Sequence, residues 1–114
     1  MRAHFSDDSL EDLAQVRKFL DAVDADAAQR AVNAILDAIS LLERNPYFGR
    51  PAEDLPDGYR QFSVHFGKSG YVLLYYLDLP LDALLVLSIK HQRQENFPRI
   101  EEIRAQAKKD AGDA

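Results

Sequence analysis

The 114-residue sequence contains no cysteine, and this absence excludes several kinds of chemistry. Without thiols there can be no disulfide framework, no thiolate metal site and no cysteine nucleophile. The three histidines, His4, His65 and His91, are not spaced as a ligand motif, so we expect no metal. The sequence also lacks the glycine pattern of a phosphate-binding loop and the serine context of a nucleophile elbow. We therefore expect no cofactor.

Long apolar runs are absent as well. The longest, from Tyr71 to Leu77, is much shorter than the ~20 residues that span a bilayer. The N-terminus reaches Asp7 and Asp8 without the apolar stretch of a signal peptide. With 46% apolar and 29% charged residues, the composition is that of an ordinary folded protein. The sequence predicts one cytoplasmic domain over residues 1–114, with no membrane association.

Basic residues are outnumbered, with 14 Lys and Arg against 19 Asp and Glu, so the formal net charge is −5. This balance argues against a general nucleic-acid binder, because phosphate binding needs clustered lysine and arginine. The deficit lies mainly in residues 1–57, with twelve acidic and six basic residues, whereas residues 58–94 hold four basic and two acidic ones. Any site that faces an anion is therefore expected in the middle of the chain.

Two helices are predicted in the first half. The segment Ser9-x-x-Asp12 is an acceptable capping box, and apolar residues at helical spacing extend a first helix to about Val23. After a joint at residues 24–26, a second helix continues until Pro46, because proline cannot donate the next helical hydrogen bond. The two helices form an antiparallel hairpin. The apolar stripe of the second helix consists of Ala28, Ala31, Val32, Ile35, Ala38, Ile39 and Leu42.

The periodicity changes from helical to two-residue at Tyr59, after a loop at residues 45–58 that holds three prolines and two glycines. Three strands are predicted, at Tyr59–Phe66, Tyr71–Leu77 and Ala83–Ile89. Short turns join them, so they form an antiparallel meander.

Shorter elements are predicted at both ends of the chain. Ala3 and Phe5 alternate with polar residues as in a half-buried strand. Asn96, which precedes Pro98, can cap a C-terminal helix at about residues 97–109. The prediction is an α+β fold with an N-terminal strand, a helical hairpin, a three-stranded meander and a short C-terminal helix. The apolar stripe of that last helix is narrow and consists of Ile100, Ile103 and Ala107.

Five segments up to about Phe97 together form a pattern. They are an acidic helix start with the stripe Leu10 to Leu20, Asn45-Pro46-x-x-Gly49-Arg50-Pro51, Gly58-Tyr59-Arg60, Tyr71-Val72-Leu73-Leu74-Tyr75-Tyr76 and Leu87-Ser88-Ile89-Lys90-His91-Gln92-Arg93. In this order and at these separations they resemble the ParE/RelE superfamily of toxins from bacterial type II toxin–antitoxin systems. The resemblance implies a growth-inhibiting toxin that a cognate antitoxin neutralises in a hetero-oligomer.

Two departures from the RelE pattern favour the ParE-like side of the superfamily. The chain has Phe97 near the place where a tyrosine follows the last strand, and it lacks the lysine-rich surface of a ribosome-dependent nuclease. ParE-like members act on DNA gyrase by binding and not by hydrolysis, so an enzyme is the less favoured reading. A RelE-like, ribosome-dependent mRNA endonuclease and a non-toxic binding module remain alternatives.

Arg60 is the most informative candidate residue. It shares the parity of Phe62 and Val64 but stands at the start of a strand, where its guanidinium can reach solvent and bind a phosphate or carboxylate in bidentate fashion. The alternative is a salt bridge to Asp54 or Asp57.

A second group of candidates follows the last predicted strand. His91 shares the parity of Leu85, Leu87 and Ile89. Histidine can act as a general acid or base, and a neighbouring arginine can stabilise developing charge. A structural histidine that hydrogen-bonds the backbone is the reading that we favour. The candidates for target binding are Arg50, Arg60, His91 and Arg93, and those for RNA cleavage are Arg60, His91 and Arg93.

Overall fold

The computed structural model of the protein describes residues 1–112. Its elements confirm the predicted α+β arrangement of strand, helical hairpin, meander and C-terminal helix. A two-residue strand inside the predicted loop is an addition. The elements are β1 (Arg2–Phe5), α1 (Asp7–Asp21), α2 (Ala25–Arg44), β2 (Arg50–Pro51), β3 (Tyr59–Phe66), β4 (Ser69–Asp78), β5 (Ala83–His91) and α3 (Ile100–Gly112).

The five strands form one sheet in the order β1-β5-β4-β3-β2. The meander β3-β4-β5 is antiparallel as predicted, and β1 joins it in parallel with β5. Glu43 of α2 protects the outer edge of β1, because its carboxylate accepts the backbone N–H of Ala3 at 2.8 Å. At the other edge β2 is short and contains Pro51, as is typical of edge positions.

The starts of α1 and α2 follow from local capping, and the predicted cap of α1 is wrong. Ser6, not Ser9, caps α1, since the Ser6 hydroxyl accepts the N–H of Ser9 at 3.0 Å. Ser9 itself is buried inside the helix. Asp24 caps α2 in the same way, with its carboxylate accepting the N–H groups of Asp26 and Ala27. α2 ends at Arg44, as the proline at position 46 predicts.

The hairpin of α1 and α2 covers one face of the sheet, and the seven predicted stripe residues of α2 are all buried there. β4 is the central strand and contributes to two separate cores, one on each face. On the hairpin side the buried cluster consists of Ala31, Ile35, Ala38, Ile39, Leu42, Val64, Tyr71, Leu73, Tyr75, Leu77, Leu84, Val86 and Ile89. On the other side Ala52, Val72, Leu74 and Phe97 form a smaller cluster.

A β-bulge in β5 changes which residues share the face of His91. Leu74 of β4 pairs with Ser88, but the next residue, Tyr75, pairs with Val86, so β5 has one extra residue at this point. Leu87 therefore packs against the smaller cluster while Ile89 belongs to the hairpin-side core. His91 shares the face of Ile89 as predicted, since the two pair with Tyr71 and Leu73. The predicted common face with Leu87 and Leu85 is wrong, because a strict two-residue period does not continue through the bulge.

The C-terminal helix begins later than predicted. Arg99 has a φ of 60°, a left-handed conformation that interrupts any helix, so α3 starts at Ile100 and the predicted cap at Asn96 is wrong. The narrow stripe is confirmed, with Ala107 buried and Ile100 and Ile103 packed on the smaller cluster. Among the helices described, none is both long enough and apolar enough to cross a membrane.

Candidate functional site

The loop between α2 and β2 is held rigidly by a buried tyrosine. Tyr75 is fully buried in β4, and its hydroxyl donates to the carbonyl oxygen of Pro46 at 2.8 Å and accepts the N–H of Gly49 at 3.0 Å. Burial raises the pKa of the Tyr75 phenol, and the hydrogen bond from Gly49 and the charge of Arg60 oppose this increase only in part. A buried tyrosine hydroxyl needs such partners, so Tyr75 fastens the loop to the sheet.

Arg60, on the neighbouring strand, hydrogen-bonds to the same loop. It pairs with Tyr75 across β3 and β4, and its Nε donates to the Gly49 carbonyl oxygen at 2.9 Å. Its Nη2 also reaches the Tyr47 carbonyl oxygen at 3.3 Å, and the guanidinium carbon lies 5.3 Å from the centre of the Tyr47 ring. The salt bridge to Asp54 or Asp57 that the sequence left open is not among the ion pairs of the described residues.

A small groove of about 290 Å³ opens beside this arginine. Tyr47 and Leu79 line it with 61% and 60% of their surface exposed, respectively. Large apolar side chains with this exposure next to an arginine are typical of protein-binding surfaces. We call this groove, lined by Tyr47, Arg60, Leu77 and Leu79 among others, the Arg60 groove.

Arg50 stands close to Arg60 in the sheet but lines a different groove. It pairs with Gln61 across β2 and β3, and the Gln61 amide, with its oxygen turned towards Arg50, accepts from Nε at 2.8 Å. The second groove, about 430 Å³ in volume, lies between the loop after β2 and α3. Its charged lining is mixed, with Arg50, Lys90, Arg104, Glu53, Asp54 and Glu95, which does not favour an anion.

His91 is engaged on both ring nitrogens. Its Nδ1 accepts the backbone N–H of Arg93 at 3.0 Å, which is the backbone hydrogen bond expected of a structural histidine. Nε2 lies 2.7 Å from the Ser69 hydroxyl and, with Nδ1 accepting, carries the proton of the neutral ring. The ring also packs edge-on against Tyr71, with 5.5 Å between centres. This tautomer leaves no free basic nitrogen to activate Ser69 as a nucleophile.

The structure does not bring Arg60 and His91 together. They pair with Tyr75 and Tyr71, four residues apart on β4, and lie on opposite sides of that strand. At ~3.3 Å per residue the offset along the strand alone is about 13 Å. The structure thus keeps His91 and Arg93 together, with the Arg93 N–H donating to the His91 ring, and places Arg60 at the other end of this stretch of β4. Arg93 is exposed in the turn at the His91 end.

A third polar cluster was missed by the sequence reasoning. The carboxylate of Asp12, only 7% exposed, accepts two hydrogen bonds from Arg99, at 3.0 and 2.7 Å, and the N–H of Ile89 at 3.0 Å. The Ser88 hydroxyl is 3.2 Å from the same carboxylate. The detectable signal was the position of Asp12 on the inward face of α1, one turn after Ser9 and one turn before Val16. Within residues 1–112 no group of three His, Asp or Glu side chains is placed to hold a metal ion.

Comparison with known proteins supports the pattern of motifs. The model of a family described as "ParE toxin of type II toxin-antitoxin system, parDE" matches residues 3–96. A solved structure described as "Chromosomal ParDE TA system from P. aeruginosa" has a TM-score of 0.63 at 18% identity, covering 80% of this chain and 95% of that chain. At this identity the likeness is one of fold. No curated protein matches the sequence significantly. Since the family match spans most of its length, the chain belongs to the ParE toxin family of type II toxin–antitoxin systems.

Proposed function

We propose that the protein is a growth-inhibiting cytoplasmic toxin that acts on DNA gyrase by binding, through the Arg60 groove, and that a cognate antitoxin neutralises it. The separation of Arg60 from His91 carries this proposal. RNA cleavage requires an acid–base group and a charge-stabilising group at one phosphate, whereas strand pairing offsets the backbone positions of these two residues by about 13 Å along β4 and puts them on opposite sides of that strand.

The Arg60 groove has the composition of a protein-binding surface. The Tyr75 and Arg60 hydrogen bonds fix the backbone beneath Tyr47, so this ring is presented without a large loss of conformational freedom on binding. Leu79 supplies further apolar surface to the same groove. The two N–H groups of Arg60 Nη1 remain as donors to the target, because the contacts with the loop use Nε and Nη2.

The overall charge also favours a protein target. A ribosome-dependent nuclease approaches a dense field of phosphates, and a chain with a net charge of −5 is repelled by it. The RelE-like endonuclease is therefore the second candidate. A non-toxic binding module is the remaining alternative.

The family assignment supports an antitoxin as partner, since the solved neighbour is described as part of a ParDE system. Binding of an antitoxin peptide to the folded state alone should raise the free energy of unfolding by ~2.7 kcal/mol at a hundred times its dissociation constant. Thermal melts with and without the peptide test this hetero-oligomer. An unchanged melting temperature at saturating peptide would contradict it.

The target is tested by induction of the toxin without antitoxin. We expect growth arrest with activation of a DNA-damage reporter, while incorporation of labelled amino acids continues at first. Inhibition of supercoiling by purified toxin and gyrase should accompany it. Immediate loss of labelling with a silent reporter would favour the RelE-like endonuclease, and unimpaired growth would favour the binding module.

A variant of the groove links this phenotype to the proposed site. Arg60→Ala should abolish toxicity, whereas Arg30→Ala, which removes an exposed arginine from α2, should leave it unchanged. Because Arg60 also holds the loop, the purified variant must be shown to be folded at the assay temperature. Full toxicity of a folded Arg60→Ala protein would place the target contact elsewhere.

A further inference from the structure

The C-terminal segment of residues 97–112, which we call the strap, differs from the rest of the chain in how it is attached. It lies outside the residues that match the family, 3–96, and follows the exposed residues Glu95 and Asn96. Within the described part of α3, Ala107 is the only buried residue. The strap therefore rests on the sheet through a narrow apolar contact.

The sheet face beneath the strap is apolar. Val72 and Leu74 of β4 are buried there, with Tyr59 and Leu87 packed beside them. Phe97, Ile100 and Ile103 of the strap complete this cluster. Without the strap these residues of β3, β4 and β5 would form an exposed apolar patch, which a folded protein rarely leaves open.

One ion pair between the partly exposed Arg99 and the buried Asp12 holds the strap at its beginning. Arg99 donates two hydrogen bonds to Asp12 of α1, at 3.0 and 2.7 Å, and its Nε lies 3.3 Å from a carboxylate oxygen of Asp8. Asp12 in turn holds the N–H of Ile89 in β5, where β1 no longer pairs with that strand. The ion pair thus ties the strap to a helix and a strand of the main domain.

Two features weaken the attachment of the strap. Arg99 has a φ of 60°, which costs free energy in any residue other than glycine. Farther along, the 430 Å³ groove runs between α3 and the loop after β2, and the buried Nε of Arg104 has no hydrogen-bond partner. The attachment of α3 beyond Arg99 is therefore weaker than that of the core strands.

We propose that the strap opens and closes as one unit about Glu95 and Asn96, with the Arg99–Asp12 ion pair as its lock, and so controls access to the apolar sheet face beneath it. Opening breaks the ion pair and the contacts of Phe97, Ile100 and Ile103, while the main sheet stays folded. This device is independent of the identity of the toxin's target.

Hydrogen exchange on the full chain, followed by mass spectrometry, tests the proposal. In the unmodified protein the amides of residues 100–112 should exchange together and faster than those of β4, through opening without global unfolding. Arg99→Ala should speed exchange of the strap by roughly tenfold or more relative to β4, because it leaves the buried Asp12 carboxylate without its charged partner. Binding of an apolar fluorescent dye should increase in parallel.

Two further variants separate the lock from general stability. Ile103→Ser weakens the apolar contact without touching Asp12 and should also speed exchange of the strap alone. Lys108→Ala, at an exposed position of the same helix, should change nothing. If Arg99→Ala does not fold, the exchange of the strap in Ile103→Ser, compared with that of β4, tests the proposal alone. Strap amides that exchange only with β4, or variants that accelerate β4 and the strap equally, would overturn the proposal.

Discussion

Tyr75 and Arg60 hold Gly49 from its two polar sides: the Tyr75 hydroxyl accepts its N–H and the Arg60 guanidinium donates to its carbonyl oxygen. The two side chains are direct cross-strand neighbours in β4 and β3. Because the sheet sets their spacing, it also sets the position of the loop. The exposed ring of Tyr47 is thereby placed by residues that lie 13 and 28 positions farther along the chain.

Tyr75→Phe should destabilise the fold although the ring is retained. The substitution removes the acceptor of the Gly49 N–H and the donor to the Pro46 carbonyl, both at a buried position. An unsatisfied buried polar group costs about 1–3 kcal/mol, and this is the loss that we expect in the free energy of unfolding from urea titration. Tyr47→Phe removes a hydroxyl from an exposed ring and should stay within about 0.5 kcal/mol of the original. Equal stability of both variants would contradict the role of Tyr75.

Gly49→Ala should disrupt the contacts of Tyr75 and Arg60 with the loop, which we call the Gly49 clamp, by steric overlap. A Cβ at this position would collide with the Tyr75 hydroxyl and lie 2.7 Å from the Gln61 carbonyl oxygen, which is backbone and cannot move freely. We expect a loss of about 1–3 kcal/mol or more in the free energy of unfolding, measured by the same titration. Gly112→Ala, whose Cβ would meet no atom within 4 Å, is the control. A Gly49→Ala protein as stable as this control would show that the loop can relax.

The regular elements of this fold could be predicted because their signals are local. The α2 stripe follows the helical period and Pro46 marks its end, so both were predicted correctly. The three meander strands follow from alternation and short turns. The parallel pairing of β1 with β5 joins segments about 80 residues apart, and no local pattern in either strand encodes that choice of neighbour.

The candidate site was only partly predictable, because its contacts join residues that are distant in the sequence. Arg60 was identified from its place at the start of β3, but its partner is a backbone carbonyl, which no sequence pattern reveals. The bulge at Leu87 separated His91 and Ile89 from the face of Leu85, with which the alternation had grouped them. Asp12 was interpreted as a capping residue, although its partner Arg99 lies on a left-handed turn far along the chain.

Stability should fall at alkaline pH through the buried tyrosines. Burial raises the pKa of Tyr75 and Tyr71 above the ordinary value of about 10, and burial is also the main cause of the raised pKa of Tyr59. A group with a raised folded-state pKa binds its proton more tightly in the folded state, so this stabilisation is complete below pH 10. It is lost as the pH rises from about 10 through the folded-state values. Urea titrations at pH 8 to 11 should show the decrease, and Tyr75→Phe should reduce its slope.

Leu79→Asp tests the Arg60 groove without changing the hydrogen bonds of Tyr75 and Arg60 to Gly49. Leu79 lies in the turn after β4 with 60% of its surface exposed, so the folded protein loses little when it is replaced, about 0.5 kcal/mol or less. A carboxylate there would occupy the apolar wall of the groove and attract the Nη1 of Arg60, thereby competing with a target for both contacts. We expect toxicity to fall at least about tenfold, measured as the inducer concentration that halves growth rate, which corresponds to a loss of ~1.4 kcal/mol in binding.

The matched control for this experiment is Val23→Asp. Val23 follows α1, is 80% exposed and does not line the groove. The substitution therefore introduces the same charge at an accessible apolar position outside the groove. Its toxicity and melting temperature should both remain near those of the original protein. If both variants lose toxicity equally, the added negative charge and not the groove is responsible, because a target surface that repels acidic residues would respond to either site. If neither loses it while both express normally, the target binds a different surface, and the exposed Tyr47 and Leu79 serve some other contact.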